Sequence, residues 1–302
     1  MENLCNICPR KCNISREKNI GFCKSTNDIK ISKVMLHYFE EPIISGEDSA
    51  SKKANGSGAI FFSNCNLKCC YCQNSEISAD GDGKLVSIKT LSELFKQLEN
   101  AGANNINLVT PTHYTNQIIE ALNIYKPAIP VVWNTSGYED VETIIQLKNY
   151  VDIYLTDLKY YSNDVSFKYS MARDYFENAS KSILQMRKNQ PEDIIQNGLM
   201  KKGLIIRHLV LPNQTADSQK IIDWTYENLG NQTYFSLMSQ YVPMAKAKDF
   251  PEINRKIKPI EYKILATKLK NLGFSNCFLQ DYDSAQTCFT PNFKEVNSDF
   301  EF

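Results

Sequence analysis

Cys65, Cys69 and Cys72 stand in the run Asn64-Cys65-Asn66-Leu67-Lys68-Cys69-Cys70-Tyr71-Cys72-Gln73-Asn74, a C-x3-C-x2-C loop. Three thiolates at that spacing can face one iron–sulfur cluster, which ordinarily takes four. Three protein ligands leave one iron open, and the amine and carboxylate of an amino acid can chelate it together. The same cysteines would also suit a zinc site short of one ligand, or plain buried thiols. Cys70 interrupts the pattern and is expected to turn away from the others. A second set precedes them: Cys5-x2-Cys8-x3-Cys12-x10-Cys23, with Pro9 after the second cysteine and Gly21 before the fourth. Four thiolates close a tetrahedral shell around structural zinc, and the same four can hold an auxiliary [4Fe–4S] cluster that relays electrons. Spacing leaves both open.

Eight of the ten cysteines fall in the first 72 residues, and no export signal or apolar run of membrane-spanning length is apparent. Clustered cysteines in such a chain read as reduced metal ligands rather than disulfides, in a soluble, cytoplasmic protein. The 302 residues carry 34 basic and 34 acidic side chains, so a field for binding nucleic acid is not indicated. Hydrophobic residues at 42% suffice for a sizeable core.

The elements that must position these cysteines follow from periodicity. Residues 1–30 hold few large apolar side chains and need a staple such as a metal to fold. Residues 31–57 read as a connector, ending in the polar run 45–53. From residue 58 short apolar runs alternate with amphipathic stretches. Strands are expected at 58–63, 106–110, 131–133, 151–155, 204–208 and 234–237. Helical stripes lie between them: Leu91, Leu94, Phe95 and Leu98, for example, with a capping box from Thr90 and Glu93. Six strands alternating with helices mean parallel βαβ units, in an open doubly wound sheet or a complete or partial barrel. Either way function sits at the carboxyl ends of the strands. The Cys65 loop lies just after the first.

Cys65-x3-Cys69-x-Tyr71-Cys72 resembles the signature of the radical S-adenosylmethionine superfamily. Glu40-Glu41-Pro42-Ile43-Ile44-Ser45-Gly46, Gly56-Ser57-Gly58-Ala59-Ile60-Phe61-Phe62-Ser63 and Tyr71-Cys72-Gln73-Asn74 resemble the pyruvate formate-lyase activating enzyme homologues of unassigned substrate. The likeness runs from about residue 5 to about residue 282. It implies an α/β fold, a partial (β/α)6 barrel over 58–282, with the Cys-rich metal-binding extension before it and a tail at 283–302. It implies a [4Fe–4S] cluster on Cys65, Cys69 and Cys72 that cleaves S-adenosylmethionine, the cofactor doing the hard chemistry. Hydrogen abstraction from a protein or small substrate would follow, with a glycyl-radical enzyme as one partner and a flavodoxin or ferredoxin as reductant. The other class of function is a non-catalytic iron–sulfur or zinc protein acting as carrier or sensor.

The remaining strand ends supply candidates. After the second strand the superfamily places Gly-Gly-Glu to hold the cofactor's amine, whereas this chain has Thr110-Pro111-Thr112-His113-Tyr114. Thr hydroxyls or a backbone carbonyl would have to serve. Asn134 and Ser136, in Asn134-Thr135-Ser136-Gly137-Tyr138, are expected to meet cofactor or substrate. Asp157 and Lys159, two apart and therefore on one side of a strand end, resemble the Asp-x-Lys motif of activating enzymes. They stand as catalytic and cofactor-binding candidates, Lys159 for the cofactor's carboxylate. His208, in Arg207-His208-Leu209, is expected near the adenosine, and Gln240 and Tyr241 at the barrel mouth.

Overall fold

The computed structural model describes residues 4–47 and 55–280, together with Phe293, Phe300 and Phe302. Most of the polar run 45–53, Cys288 and nearly all of the expected tail lie outside the described residues. Ten strands form within them: β1 (Ile29–His37), β2 (Ser57–Phe62), β3 (Lys84–Val86), β4 (Ile106–Val109), β5 (Val131–Thr135), β6 (Ile153–Asp157), β7 (Ile194–Gln196), β8 (Leu199–Leu209), β9 (Tyr234–Met238) and β10 (Cys277–Leu279). The helices are α1 (Pro42–Ser45), α2 (Ser75–Ser78), α3 (Ile88–Asn100), α4 (Thr115–Ile124), α5 (Val141–Gln146), α6 (Asn163–Ser170), α7 (Tyr175–Asn189), α8 (Thr215–Leu229) and α9 (Pro259–Asn271).

Neighbours in the sheet run β10-β9-β8-β6-β5-β4-β2-β1-β3, with β7 beside β8. From β2 to β10 every neighbouring pair on that path is parallel. The strands advance steadily in one direction, and right-handed crossovers then place their helices on one face. A doubly wound sheet would need the order to reverse, and between β2 and β10 it never does. With helices on one side only, the other face must curl on itself, and the partial barrel is the architecture that results. β2 is buried at all six positions, as a strand covered on both faces should be. On α3, Leu91, Leu94, Phe95 and Leu98 are all fully buried, each contributing about 1.5–3 kcal/mol by leaving water.

Three local expectations are corrected. Residues 31–57 are not a plain connector: most of β1 lies there, antiparallel to β2 on one side and to β3 on the other. Its alternation is interrupted after Ile29 and Ile31, which hid it among polar neighbours. The start of α3 is capped one turn earlier than Thr90, by Ser87, whose hydroxyl accepts the Thr90 N–H at 3.0 Å. And β8 reaches back to Leu199 to make a hairpin with β7 around Asn197-Gly198, both with positive φ (53° and 76°), as the twist of a two-residue turn demands. No helix among the described residues is long and apolar enough to cross a membrane.

Candidate active site

All six central strands end at one cavity of about 250 Å³, lined by Cys65, Cys69 and Cys72. β2 is followed by Asn64, whose φ of 74° turns the chain sharply, and the cysteine loop then folds across the mouth. The loop is held from outside: Cys70 N–H donates to the Tyr169 carbonyl at 2.8 Å, and Lys246 N–H to the Cys70 carbonyl at 2.8 Å. Cys70 itself packs in the core and does not line the cavity.

Each of the three cavity sulfurs has a hydrogen-bond partner. Leu67 N–H donates to Cys65 Sγ at 3.4 Å, Ser170 Oγ donates to Cys69 Sγ at 3.0 Å, and Ser78 Oγ lies 3.2 Å from Cys72 Sγ. The Ser170 contact ends a longer chain. Tyr71 and Tyr160 hydroxyls are 2.5 Å apart, and Tyr160 OH is 2.6 Å from Ser170 Oγ. Because the single Ser170 hydrogen goes to sulfur, Tyr160 must donate to Ser170 and Tyr71 to Tyr160. The signature's aromatic residue thus acts on Cys69 from a distance. Burial pushes the Cys65 thiol up to about 12, with the charge of Cys69 adding to it. Burial likewise pushes Cys69 up to about 11, against the pull of the Lys159 ammonium. Such thiols ionise when a metal takes them, and binding releases their protons. No three Cys, His, Asp or Glu side chains among the described residues close on one point tightly enough for a single ion. A cluster, in which each thiolate meets its own iron, does not require that they should.

Asp157 and Lys159 project into the cavity together, Lys159 Nζ 2.5 Å from Asp157 Oδ2. Burial works against the Lys159 charge, but Asp157 and then Cys69 hold its pKa above the ordinary lysine range. Asn134 and Ser136 also line the cavity, as does Gln240. Gly137 beyond them has a φ of 80°, and a Cβ there would stand 2.1 Å from the Asp157 carbonyl oxygen. Only glycine lets β5 and β6 end side by side at this point.

Sequence expectation fails at three places. His208 is on the wrong side of β8: Arg207 and Leu209 face the cavity, so the residue between them faces away. Its Nδ1 lies 2.7 Å from the Leu158 carbonyl and its Nε2 2.8 Å from Ser218 Oγ. Burial lowers its pKa to about 4, which makes it a neutral core histidine. Tyr241 is likewise buried, donating to the Ile253 carbonyl at 2.8 Å. Of Thr110–Tyr114 only Thr110 reaches the cavity. Thr112 donates to buried Glu139 at 2.7 Å. Thr110 has a φ of 59°, a strained conformation for a β-branched residue.

A carboxylate does reach the cavity, from an unexpected direction. Glu40, just after β1, accepts from Asn107 Nδ2 at 2.9 Å and Asn134 Nδ2 at 3.2 Å, and is paired with Arg207. Arg207 also grips Glu41 through Nε at 2.8 Å and Nη2 at 2.5 Å. Burial would raise the Glu40 pKa, but Arg207 and then His37 outweigh it and hold the carboxyl below its usual range. Glu40 and Arg207 were both in quoted motifs, yet nothing in their local pattern assigned them to the site. Beside them a second cavity of about 480 Å³ opens between Phe39–Pro42 and β10, in the gap a complete barrel would close.

A family model of the Radical SAM superfamily matches residues 59–225. The chain belongs to the radical SAM superfamily. An uncharacterized protein of Methanocaldococcus jannaschii is 32% identical over 263 residues, which cover 84% of this chain and 70% of that one. Among solved structures, Streptococcus suis SuiB bound to S-adenosylmethionine aligns with a TM-score of 0.49 and 14% identity, over 72% of this chain and 48% of SuiB. The anSMEcpe structure with bound AdoMet aligns with a TM-score of 0.45 and 15% identity, over 68% and 57% of the two chains. This radical SAM chain therefore spans about half the length of SuiB. Membership in the superfamily implies a [4Fe–4S] cluster and S-adenosylmethionine. The donor set fits both, since three soft thiolates and a charged Lys–Asp pair share one cavity.

Proposed function

We propose that this radical SAM protein is an enzyme that cleaves S-adenosylmethionine reductively and abstracts hydrogen from a second substrate. The observation that carries this is the convergence of Cys65, Cys69 and Cys72 with Asp157 and Lys159 at the ends of six parallel strands. Cys65, Cys69 and Cys72 would hold the cluster; when bound, it supplies the electron that breaks the cofactor's carbon–sulfur bond and yields a 5′-deoxyadenosyl radical. Lys159 offers an ammonium to the cofactor's carboxylate, and Asp157 keeps that ammonium charged and aimed. Glu40 and the Thr110 hydroxyl are the acceptors best placed for its amine, in the absence of Gly-Gly-Glu. Phe61, Phe62, Leu67 and Leu209 wall the cavity and limit water, protecting a reactive intermediate from side reactions.

The adjoining cavity shares His37, Glu40, Arg207, Met238 and Gln240 with the first. Together they give the site a second opening through which a protein segment or a small substrate would enter. With the motif resemblance, this makes a glycyl-radical enzyme the first partner to test. A flavodoxin or ferredoxin fits as reductant. The nine described cysteines are free thiols.

Anaerobically reconstituted protein, reduced with dithionite, should convert S-adenosylmethionine to 5′-deoxyadenosine and methionine, read by chromatography. Cys69→Ala should abolish the products. Intact cluster with no cleavage would favour a carrier or sensor instead.

A further inference from the structure

The hydroxyl on Cys69 differs from the one on Cys72 in what stands behind it. Ser78 Oγ, 3.2 Å from Cys72 Sγ, meets no further hydroxyl among the described residues. Ser170 Oγ, 3.0 Å from Cys69 Sγ, is backed by two phenols in series. Tyr160 OH lies 2.6 Å from Ser170 Oγ, and Tyr71 OH lies 2.5 Å from Tyr160 OH.

The local fold fixes this line. The last carbonyls of a helix have no partner within it, and α6 turns two of them to the cysteine loop. The Tyr169 carbonyl accepts Cys70 N–H at 2.8 Å, and the Ser170 carbonyl accepts Lys68 N–H at 3.2 Å. α6 then stops at Met171, in the left-handed conformation with a φ of 55°. The turn that carries Ser170 therefore also holds the loop, and the serine hydroxyl keeps its place beside the Cys69 sulfur. Lys159, at the end of β6, lines the cavity, while Tyr160 next to it does not and reaches Ser170 and Tyr71 beneath the loop. The Tyr160 ring packs edge-on to Tyr175 at 5.3 Å, and the Tyr71 ring edge-on to Tyr241 at 5.7 Å. Ser170 and Tyr160 are fully buried and Tyr71 nearly so, which shields all three hydroxyls from bulk water.

A sulfur bonded to iron carries no hydrogen, so Ser170 must give it the only one that the serine has. Donation then runs in one direction, from Tyr71 to Tyr160 to Ser170 to Cys69. Bonds in such a chain polarise one another, each gaining about 10–30% in strength. A donor aimed at a ligating sulfur stabilises the more negative of a cluster's two oxidation states. Hydrogen bonds to the sulfurs are accordingly among the factors that set a cluster's potential.

We propose that Tyr71, Tyr160 and Ser170 form a relay that raises the reduction potential of the cluster through Cys69, so that a weaker donor can reduce it. The relay presupposes the cluster assigned above to Cys65, Cys69 and Cys72. The step it governs is the gain of one electron by that cluster from an outside donor such as dithionite. No covalent bond in the relay is made or broken, and every hydrogen stays on its own oxygen. Tyr71, the aromatic residue of the C-x3-C-x2-C loop, thereby has a part that a phenylalanine could not play.

A redox titration followed by electron paramagnetic resonance tests this, read on the signal that Cys69→Ala removes. Ser170→Ala should lower the constant for one-electron reduction about tenfold, which is about 59 mV. Tyr160→Phe should lower it about twofold, or about 18 mV, and Tyr71→Phe should lower it by less. A Ser170→Ala/Tyr160→Phe double variant should match Ser170→Ala alone, because the phenol acts only through the serine. An equal effect of Tyr160→Phe with and without Ser170 would overturn the relay. So would wild-type potentials in both tyrosine variants, the result expected if the three hydroxyls only satisfied one another in the core. These two variants keep every cysteine and serine and both rings, so they carry the test even if Ser170→Ala fails to load iron. The graded potentials without any cleavage of S-adenosylmethionine would sink the function proposed for the site and leave the relay standing. Absence of any iron signal that depends on Cys69 would overturn both.

Discussion

Arg207 sits between two carboxylates, and removing it should unsettle the fold in a way that depends on pH. Its side chain is 12% exposed and those of Glu40 and Glu41 are 9% and 6% exposed. An Arg207→Met change keeps much of the volume but strands two buried negative charges. Glu40 retains its bonds from Asn107 and Asn134, while Glu41 loses both of its bonds from Arg207. Breaking a buried pair from one side costs about 3–5 kcal/mol, which for a chain of 302 residues corresponds to a fall of roughly 5–8 °C in Tm. The sign with pH follows from Glu40. In the wild type its folded pKa lies below the ordinary 4.5, so its contribution is complete above that value and is lost as pH falls through the folded pKa. In the variant burial is opposed only by His37 and the bond from Asn107, so the folded pKa rises and the folded state gains a proton before the unfolded one. The deficit should be greatest near neutrality and shrink as pH falls toward 4.5. Urea unfolding of both proteins at pH 7.5 and pH 5, followed by circular dichroism, measures it. A deficit under about 1 kcal/mol, the worth of an exposed pair, or one that is equal at the two pH values, would refute the reasoning.

Gly137→Ala should yield little soluble protein, because a Cβ would lie 2.1 Å from the Asp157 carbonyl at a φ of 80°; the loss should exceed about 4 kcal/mol, and near-wild-type expression and Tm would contradict it. Lys159→Met should weaken S-adenosylmethionine binding by about tenfold or more, close to 1.4 kcal/mol, in equilibrium dialysis of cluster-loaded protein, with iron content unchanged. Glu261 is held at about 2, chiefly by hydrogen bonds from Arg255. It therefore adds stability above its ordinary 4.5 that drains away as pH falls toward 2. Glu261→Gln should flatten the acid limb of the stability curve by about 1–2 kcal/mol, and an unchanged limb would refute the pairing.

The barrel was legible because parallel βαβ units leave strong signals: buried strands read as apolar runs, and the helices between them carry a clear apolar stripe. Asp157 and Lys159 were legible for a related reason, being two apart at a strand end. His208 shows the limit. A strand changes face at every residue, so reading the end of β8 without its register put the histidine where Arg207 is. Glu40 could not be placed from local pattern, since it enters from β1, outside the repeating units, and meets Asn107, Asn134 and Arg207 only through the closed fold. The bond from Arg10 to the Asn66 carbonyl is of the same kind. Spacing within each cysteine set suggested metal ligands, but nothing in it told that the sets adjoin. The Asn197-Gly198 hairpin, by contrast, is readable from its dipeptide, the commonest signal for a two-residue turn.

The central claim is that Cys65, Cys69 and Cys72 leave one iron of a cluster open to S-adenosylmethionine. Electron paramagnetic resonance of the dithionite-reduced protein, recorded before and after the cofactor is added, tests it directly. The Cys65 site should give a spin-half signal whose g-values shift on addition, and Cys69→Ala should remove that shifting component. A signal that ignores S-adenosylmethionine, or one that persists unchanged in Cys69→Ala, would contradict it.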